Sequence, residues 1–177
     1  MKQVLAALFA FVASTHSLAS TPLLSAIPEP TVPALAEIKE SFLALAKTNG
    51  NSKFGEVFVA RLDLDQPQPR TLTKALKNFL KTQLTGYSTP DDLSLREIRS
   101  EDLLTPALEA ATAEFTKISP ESKRAFYTQT AEALMGALES NTLRTFEGEH
   151  GNSFGDCDVG IFLSGDEALI LSSCYGE

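Results

Sequence analysis

The spacing of the two cysteines near the end of the chain constrains the fold more than any other feature. They stand at the outer ends of two apolar-rich segments, residues 157–164 and 167–174, which the dipeptide Gly165-Asp166 separates. Glycine readily adopts the positive φ that a two-residue hairpin turn requires. The pattern therefore predicts an antiparallel β-hairpin with a two-residue turn.

The same hairpin places the two cysteines opposite each other. If Ser164 pairs with Glu167 beside the turn, Cys157 and Cys174 each lie seven residues further out. Because pair types alternate outward from the turn, the cysteines fall at a non-hydrogen-bonded pair, where Cα atoms are about 4.5 Å apart and a disulfide can form. We predict a Cys157–Cys174 disulfide, which is typical of an oxidising compartment. The alternative is a pair of reduced, buried cysteines.

The amino terminus has the pattern of a secretory signal peptide. Lys2 precedes an apolar run at residues 4–13, and Ser17 and Ala19 supply the small residues that precede a cleavage site. A membrane anchor is the weaker interpretation, because about 20 apolar residues are needed to span a bilayer. We predict that residues 1–19 are a signal peptide and that the protein is secreted, to the cell exterior or the periplasm.

The charge of the chain favours a basic partner. The chain carries 15 Lys and Arg against 23 Asp and Glu, a net charge of −8, and loss of residues 1–19 makes it −9 because Lys2 is removed. Binding to nucleic-acid phosphates depends on clustered Lys and Arg. This balance argues against direct nucleic-acid binding and against an anionic membrane surface, so we expect a protein partner.

The apolar periodicity predicts one α+β domain over residues 34–177, preceded by a proline-rich leader at residues 20–33. A single sheet covered by helices is expected, with the disulfide-linked antiparallel hairpin at its C-terminal end. Helices are predicted at residues 34–47, 71–84, 100–115 and 119–140, and further strands at residues 54–64, 92–99 and 142–147.

The chain offers little for histidine-based catalysis. Once the signal peptide is removed, His150 is the one histidine left, and residues 147–153 around it have the composition of a flexible, solvated loop. No glycine-rich phosphate loop precedes a helix. Pairing the cysteines with each other also removes them as zinc ligands. We therefore expect no enzymatic activity, no bound metal and no cofactor.

The acidic residues include two close pairs, Asp63 with Asp65 and Asp156 with Asp158. Carboxylates so spaced could ligate calcium, but neither pair continues into an EF-hand pattern. Solvated acids at strand ends are the simpler interpretation. Met135, within the apolar stripe of the last helix, is assigned to the core rather than to a cofactor.

Four segments, together with the order of the elements, resemble a known family. The segments are Phe54-Gly-Glu-Val-Phe-Val59, Leu84-Thr-Gly86, Leu95-Arg-Glu-Ile98 with Glu101-Asp-Leu-Leu104, and Asp158-Val-Gly-Ile-Phe162. They are similar to a Phe-Glu-Val-Phe strand, a Thr-Gly turn after a second helix and a late Asp-Val-Tyr-Val strand in the nuclease A inhibitor family. The resemblance covers residues 33–177. It implies an α-β-α sandwich and stoichiometric inhibition of a secreted, sugar-non-specific nuclease.

The resemblance also implies which residues would meet the partner. In the family, the C-terminal end reaches the nuclease active site, and here that end carries Tyr175, Gly176 and Glu177. Glu56 matches the glutamate of the family's strand. The chain departs from the family at residues 48–52, where the family carries a glutamate that contacts a basic enzyme residue, and in having the disulfide.

Three classes of function remain open from the sequence. An inhibitor or binding module would use the acidic surface and the last strand. A hydrolase would have to be built from carboxylates alone, such as those of the two aspartate pairs. A structural or cell-surface protein would use residues 20–33 as a tether. The first class accounts for the charge and for the lack of catalytic groups with the fewest assumptions.

Overall fold

One antiparallel sheet with helices on both faces organises the chain. The computed structural model describes residues 24–49, 55–63, 69–83, 94–98, 104–139, 143–152 and 155–174. Its elements are β1 (Leu24–Ala26), α1 (Pro33–Thr48), β2 (Gly55–Leu62), α2 (Pro69–Gln83), β3 (Ser94–Glu97), α3 (Thr105–Ala111), α4 (Pro120–Glu139), β4 (Leu143–Asn152), β5 (Gly155–Ser164) and β6 (Glu167–Cys174). The described strands form a six-stranded sheet in the order β1-β2-β6-β5-β4-β3. The predicted α+β class is confirmed.

Alternating side chains on the central strands produce a hydrophobic core on each face of the sheet. On the face that we call the α1 face, helices α1, α3 and α4 pack against Val59, Phe162 and Leu169. On the opposite α2 face, helix α2 packs against Ile161 and Ile170. Strands β5 and β6 contain continuous apolar runs, at residues 161–163 and 168–171, because both of their faces are covered there.

The predicted hairpin is confirmed in turn, register and disulfide. Ser164 pairs with Glu167 and Cys157 pairs with Cys174. Gly165 adopts a φ of 62° in the turn. The cysteines form a disulfide, with their Cα atoms 4.0 Å apart.

Strand β6 occupies the centre of the sheet although it is the last of the described strands in chain order. It pairs with β5 on one side and with β2 on the other. Its register with β2 runs from Gly55 opposite Ser173 to Arg61 opposite Glu167. Strand β6 therefore joins the β1–β2 pair to the β5–β4–β3 group.

The leader predicted at residues 20–33 differs from the structure, which incorporates its second half into the domain. Residues 24–26 form edge strand β1 beside β2, and the N–H of Ile27 donates a 3.0 Å hydrogen bond to the carbonyl of Val59. Proline is compatible with the edge of a sheet, where one side of the backbone needs no partner. Residues 1–19, the predicted signal peptide, lie outside the described residues.

Helix α3 lies directly against β5 because Gly160 has no side chain. A Cβ atom at Gly160 would lie 2.1 Å from the backbone carbonyl oxygen of Ala107, far inside van der Waals contact. The glycine is therefore required by the close approach of the helix to the sheet.

Helix α4 begins as predicted, but one of its apolar residues is misassigned. The N–H of Ser122 donates to the hydroxyl of Ser119, which confirms the expected N-cap. Met135 is 57% exposed, so its assignment to the core is wrong. The helix instead buries Phe126 and Leu134, and Met135 follows Leu134 by the 100° that separates consecutive residues of a helix.

Candidate protein-binding site at the disulfide end of the sheet

Glu56, the one predicted contact residue that the structure describes, lies at the end of the sheet where the disulfide is. We call this the disulfide end; there β2 and β5 begin and β4 and β6 end. A single row crosses the four strands from Gly55 through Ser173 and Asp158 to Glu149. The disulfide links β5 to β6 next to this row. The row thus places two acidic residues, Asp158 and Glu149, beside the end of the last described strand.

Glu56 is a half-buried carboxylate for which the described part of the chain supplies no compensating cation. It lies on β2 in register with Ser172 of β6, and strand alternation places it on the α2 face together with Phe58. Burial raises the pKa of its carboxyl group above the ordinary value. Among the described residues, no hydrogen bond or ion pair offsets that burial. A cation supplied from outside the chain would stabilise the charged form of Glu56.

The other predicted contact residues are Tyr175, Gly176 and Glu177, which lie outside the described residues. They follow directly on Cys174, the half-buried last residue of β6. The position of Cys174 therefore fixes the point from which this segment starts, at the disulfide end.

An acidic groove of about 400 Å³ opens on the α1 face at the same end. Among the described residues that line it, Glu147, Glu149 and Asp158 are acidic and Arg96 is basic. The Nε of Arg96 donates a 2.7 Å hydrogen bond to Glu147. Glu149 is exposed. The described lining of the groove thus carries more acidic than basic side chains.

The predicted loop around His150 is wrong. Strand β4 continues to Asn152, and His150 pairs with Cys157 of β5. Glycines and polar residues in this segment indicated a loop, but the backbone pairing with β5 overrides that local preference. His150 is a strand residue at the disulfide end; its side chain lies outside the described part of the structure.

Two of the aspartates considered for a carboxylate hydrolase, Asp63 and Asp158, lie at opposite ends of β2. Asp63 is exposed just beyond the end of β2, whereas Asp158 lies in the row that includes Gly55, at the start of that strand. The length of β2 separates the two levels by roughly 25 Å. Asp65 lies outside the described residues, and only the backbone of Asp156 is described. The described residues also contain no group of His, Cys, Asp or Glu side chains that could hold a metal ion.

A buried carboxylate at the opposite end of the sheet was not predicted from the sequence. The side chain of Glu167 is 1% exposed. It accepts hydrogen bonds from the backbone N–H groups of Thr31 and Val32 and from the guanidinium of Arg61, at 2.7, 3.2 and 2.8 Å. Burial by itself raises the pKa of this carboxyl, but the hydrogen bonds from Thr31, Arg61 and Val32 together hold the pKa below its usual value. Glu167 anchors the segment before α1. The signal available in the sequence was an acidic residue at the first position of β6, directly before the apolar residues of that strand.

Comparisons of the chain with family models, with curated proteins and with solved structures found no match. In the described part of the chain, no helix combines the length and the apolar character needed to cross a membrane.

Proposed function

We propose that this chain is a secreted, acidic binding protein that docks a basic protein through the disulfide end of its sheet. The observation that carries the proposal is Glu56, a half-buried carboxylate that no described residue neutralises. The acidic groove on the other face of the same end adds carboxylates from β4 and β5. A positively charged partner would offset the desolvation of Glu56 and would be attracted by the groove.

A sugar-non-specific nuclease is the proposed partner. An enzyme that binds nucleic acid without regard to sequence needs a basic channel for the phosphate backbone, and an acidic protein complements such a channel. The resemblance to nuclease A inhibitors supports the same partner, with Tyr175, Gly176 and Glu177 entering the active site. These residues continue from β6 at the end that also carries Glu56. A partner bound to one group would thus lie close to the other.

Secretion is part of the proposal. The Cys157–Cys174 disulfide is compatible with an oxidising compartment. The pattern of residues 1–19 points to export by the same route that a secreted nuclease would take.

The test is inhibition of DNA hydrolysis by a secreted non-specific nuclease from the producing organism. We expect full inhibition at one-to-one stoichiometry and an association rate that falls as salt rises, because the charges steer the encounter. Deletion of residues 175–177 should weaken inhibition while the fold persists. Glu149→Lys should slow association. Asp63→Lys makes the same charge change at the opposite end and serves as the matched control.

Two results would count against the proposal. If the equimolar protein leaves the nuclease rate unchanged, the nuclease is not the partner. If Asp63→Lys slows association as much as Glu149→Lys does, the net charge matters and the disulfide end does not.

A further inference from the structure

Among the described residues, the outer edge of β2 is paired over only part of its length. Strand β1 pairs with residues 60–62, and the N–H of Ile27 reaches the carbonyl of Val59. After Ile27 the chain turns away from this edge at Pro28. The backbone N–H of Thr31 then donates a hydrogen bond to Glu167. Within the described ranges, no strand continues alongside residues 55–58.

The direction of the backbone groups follows from the hydrogen bond at Val59. Because its carbonyl points outward to Ile27, the N–H and C=O groups of Val57 and Gly55 also point outward, two and four residues away. The intervening Glu56 and Phe58 direct their backbone groups inward to β6. A strand edge that has no partner in the described ranges is a template for one more strand.

A small groove of about 160 Å³ runs along this free edge and receives side chains from both helical layers. On the α2 face, Phe58 and Phe79 form an edge-to-face pair with ring centroids 6.3 Å apart. On the α1 face, Lys39 lines the groove and is paired with Glu29. An incoming strand would therefore meet an apolar surface on one side and an existing ion pair on the other.

Glu56 supplies the charge that selects the strand. It lies two residues before Phe58 on the same face of β2, and it directly precedes Val57, which lines the groove. In an antiparallel pair, residues opposite Glu56 and Phe58 would occupy non-hydrogen-bonded positions, where facing side chains are closest. The residue between them would pair with Val57 through the backbone and face Lys39.

We propose that an extended segment of a partner protein adds to the free edge of β2 as an antiparallel strand beside residues 55–58. The segment carries an apolar residue opposite Phe58, a non-basic residue opposite Val57 and a Lys or Arg opposite Glu56. In the partner's chain direction this is an apolar–x–basic tripeptide. The inference rests on the proposed function in taking Glu56 as a contact, but it does not require the partner to be a nuclease.

The experiment titrates the isotopically labelled full chain with synthetic peptides and follows the backbone amides by NMR. A short peptide with consecutive valine, threonine and lysine should shift the amides of residues 55–58, and the amide of Val57 should become protected from hydrogen exchange. Replacing the lysine by glutamate should weaken binding at least tenfold. N-methylation of the threonine nitrogen should abolish it, because that nitrogen pairs with Val57.

Substitutions in the protein test the same contact between Glu56 and the lysine of the peptide. Glu56→Gln should weaken the valine–threonine–lysine peptide about tenfold, which corresponds to about 1.4 kcal/mol. Asp63→Asn removes an exposed carboxylate elsewhere and should leave the peptide affinity unchanged.

Three outcomes would overturn the inference: equal binding of the N-methylated peptide, shifts confined to the acidic groove, or a concentration-dependent dimer formed through Val57 without any peptide. The nuclease assay separates this inference from the proposed function. Inhibition without peptide binding would overturn strand addition alone. Peptide binding without inhibition would exclude only the nuclease as the partner.

Discussion

The carboxylate of Glu167 accepts a 2.7 Å hydrogen bond from the backbone N–H of Thr31, 136 positions earlier in the chain. Arg61 on β2 donates to the same carboxylate. Helix α1 begins two residues after Thr31, and Glu167 directly follows the turn of the last hairpin. This one side chain therefore links the start of the first helix to that turn. Buried carboxylates are stabilising only when hydrogen bonds compensate for the lost hydration, and Glu167 meets that condition.

We expect Glu167→Gln to lower the free energy of unfolding by about 2 kcal/mol, because a charged hydrogen-bond acceptor is replaced by a neutral one in a buried site. Urea denaturation measures the change. Glu121→Gln is the control: Glu121 is 75% exposed and contacts Arg124 at 3.5 Å, so its loss should cost less than about 0.5 kcal/mol. Equal effects of the two changes would contradict the anchoring role.

The contribution of Glu167 should depend on pH in a defined direction. Its pKa is lower in the folded protein than the value of about 4.3 expected in the unfolded chain. The stabilisation is therefore fully present above about pH 5 and decreases as the pH falls through the folded pKa. Denaturation at a series of pH values should show the wild type and Glu167→Gln converging in acid. A gap that stays constant down to about pH 2 would refute the assignment.

Glu56 should show the opposite dependence. Because burial raises its pKa, the charged form that exists at neutral pH destabilises the fold. We expect Glu56→Gln to be more stable than the wild type at pH 7, with the gain disappearing below about pH 4, where the carboxyl is protonated in both states. The same substitution should weaken partner binding, so stability and binding would change in opposite directions. A loss of stability at pH 7 would indicate that Glu56 has a structural role.

Gly160→Ala should destabilise the fold by about 2 kcal/mol, because the new methyl group cannot fit against Ala107 without displacing α3. Gly165→Ala provides the contrast. A Cβ at residue 165 would have no atom within 4 Å, but the positive φ there costs an alanine about 1 kcal/mol. Amide shifts should spread through α3 for the first variant and remain at the turn for the second.

The disulfide should contribute about 3 kcal/mol by restricting the unfolded chain. Replacing both Cys157 and Cys174 by alanine should lower stability by that amount while the antiparallel register survives. A peptide map of the native protein should show the two residues joined, with no alkylatable thiol. Two reactive thiols in the native protein would contradict the pairing.

Local signals in the sequence were sufficient for the hairpin and its disulfide, and for the presence of the helices. The register of β5 and β6 follows from counting residues outward from the turn, since both strands lie side by side along the chain. The helices follow from apolar periodicity. Contacts between distant segments were not accessible in this way.

Three differences show what local patterns miss. Residues 24–26 are too few to display strand periodicity, and β2 imposes their conformation. His150 is held in a strand by pairing with β5 despite its glycine-rich surroundings. Met135 has the right spacing for a core residue, but the position of the α1–α4 contact decides which side of the helix is covered. At the candidate site, Glu56 was selected by resemblance, while its burial became evident only from the structure.

The central position of β6 has a consequence for how the protein is made. A ribosome that has synthesised every strand through β5 holds two sheet fragments whose joining edges, β2 and β5, have no strand between them. Residues 167–174 must emerge before those fragments can meet. Until then, the edges of β2 and β5 that β6 will join stay available to chaperones. Strand order thus makes completion of the sheet wait for the synthesis of β6, after all the other described strands.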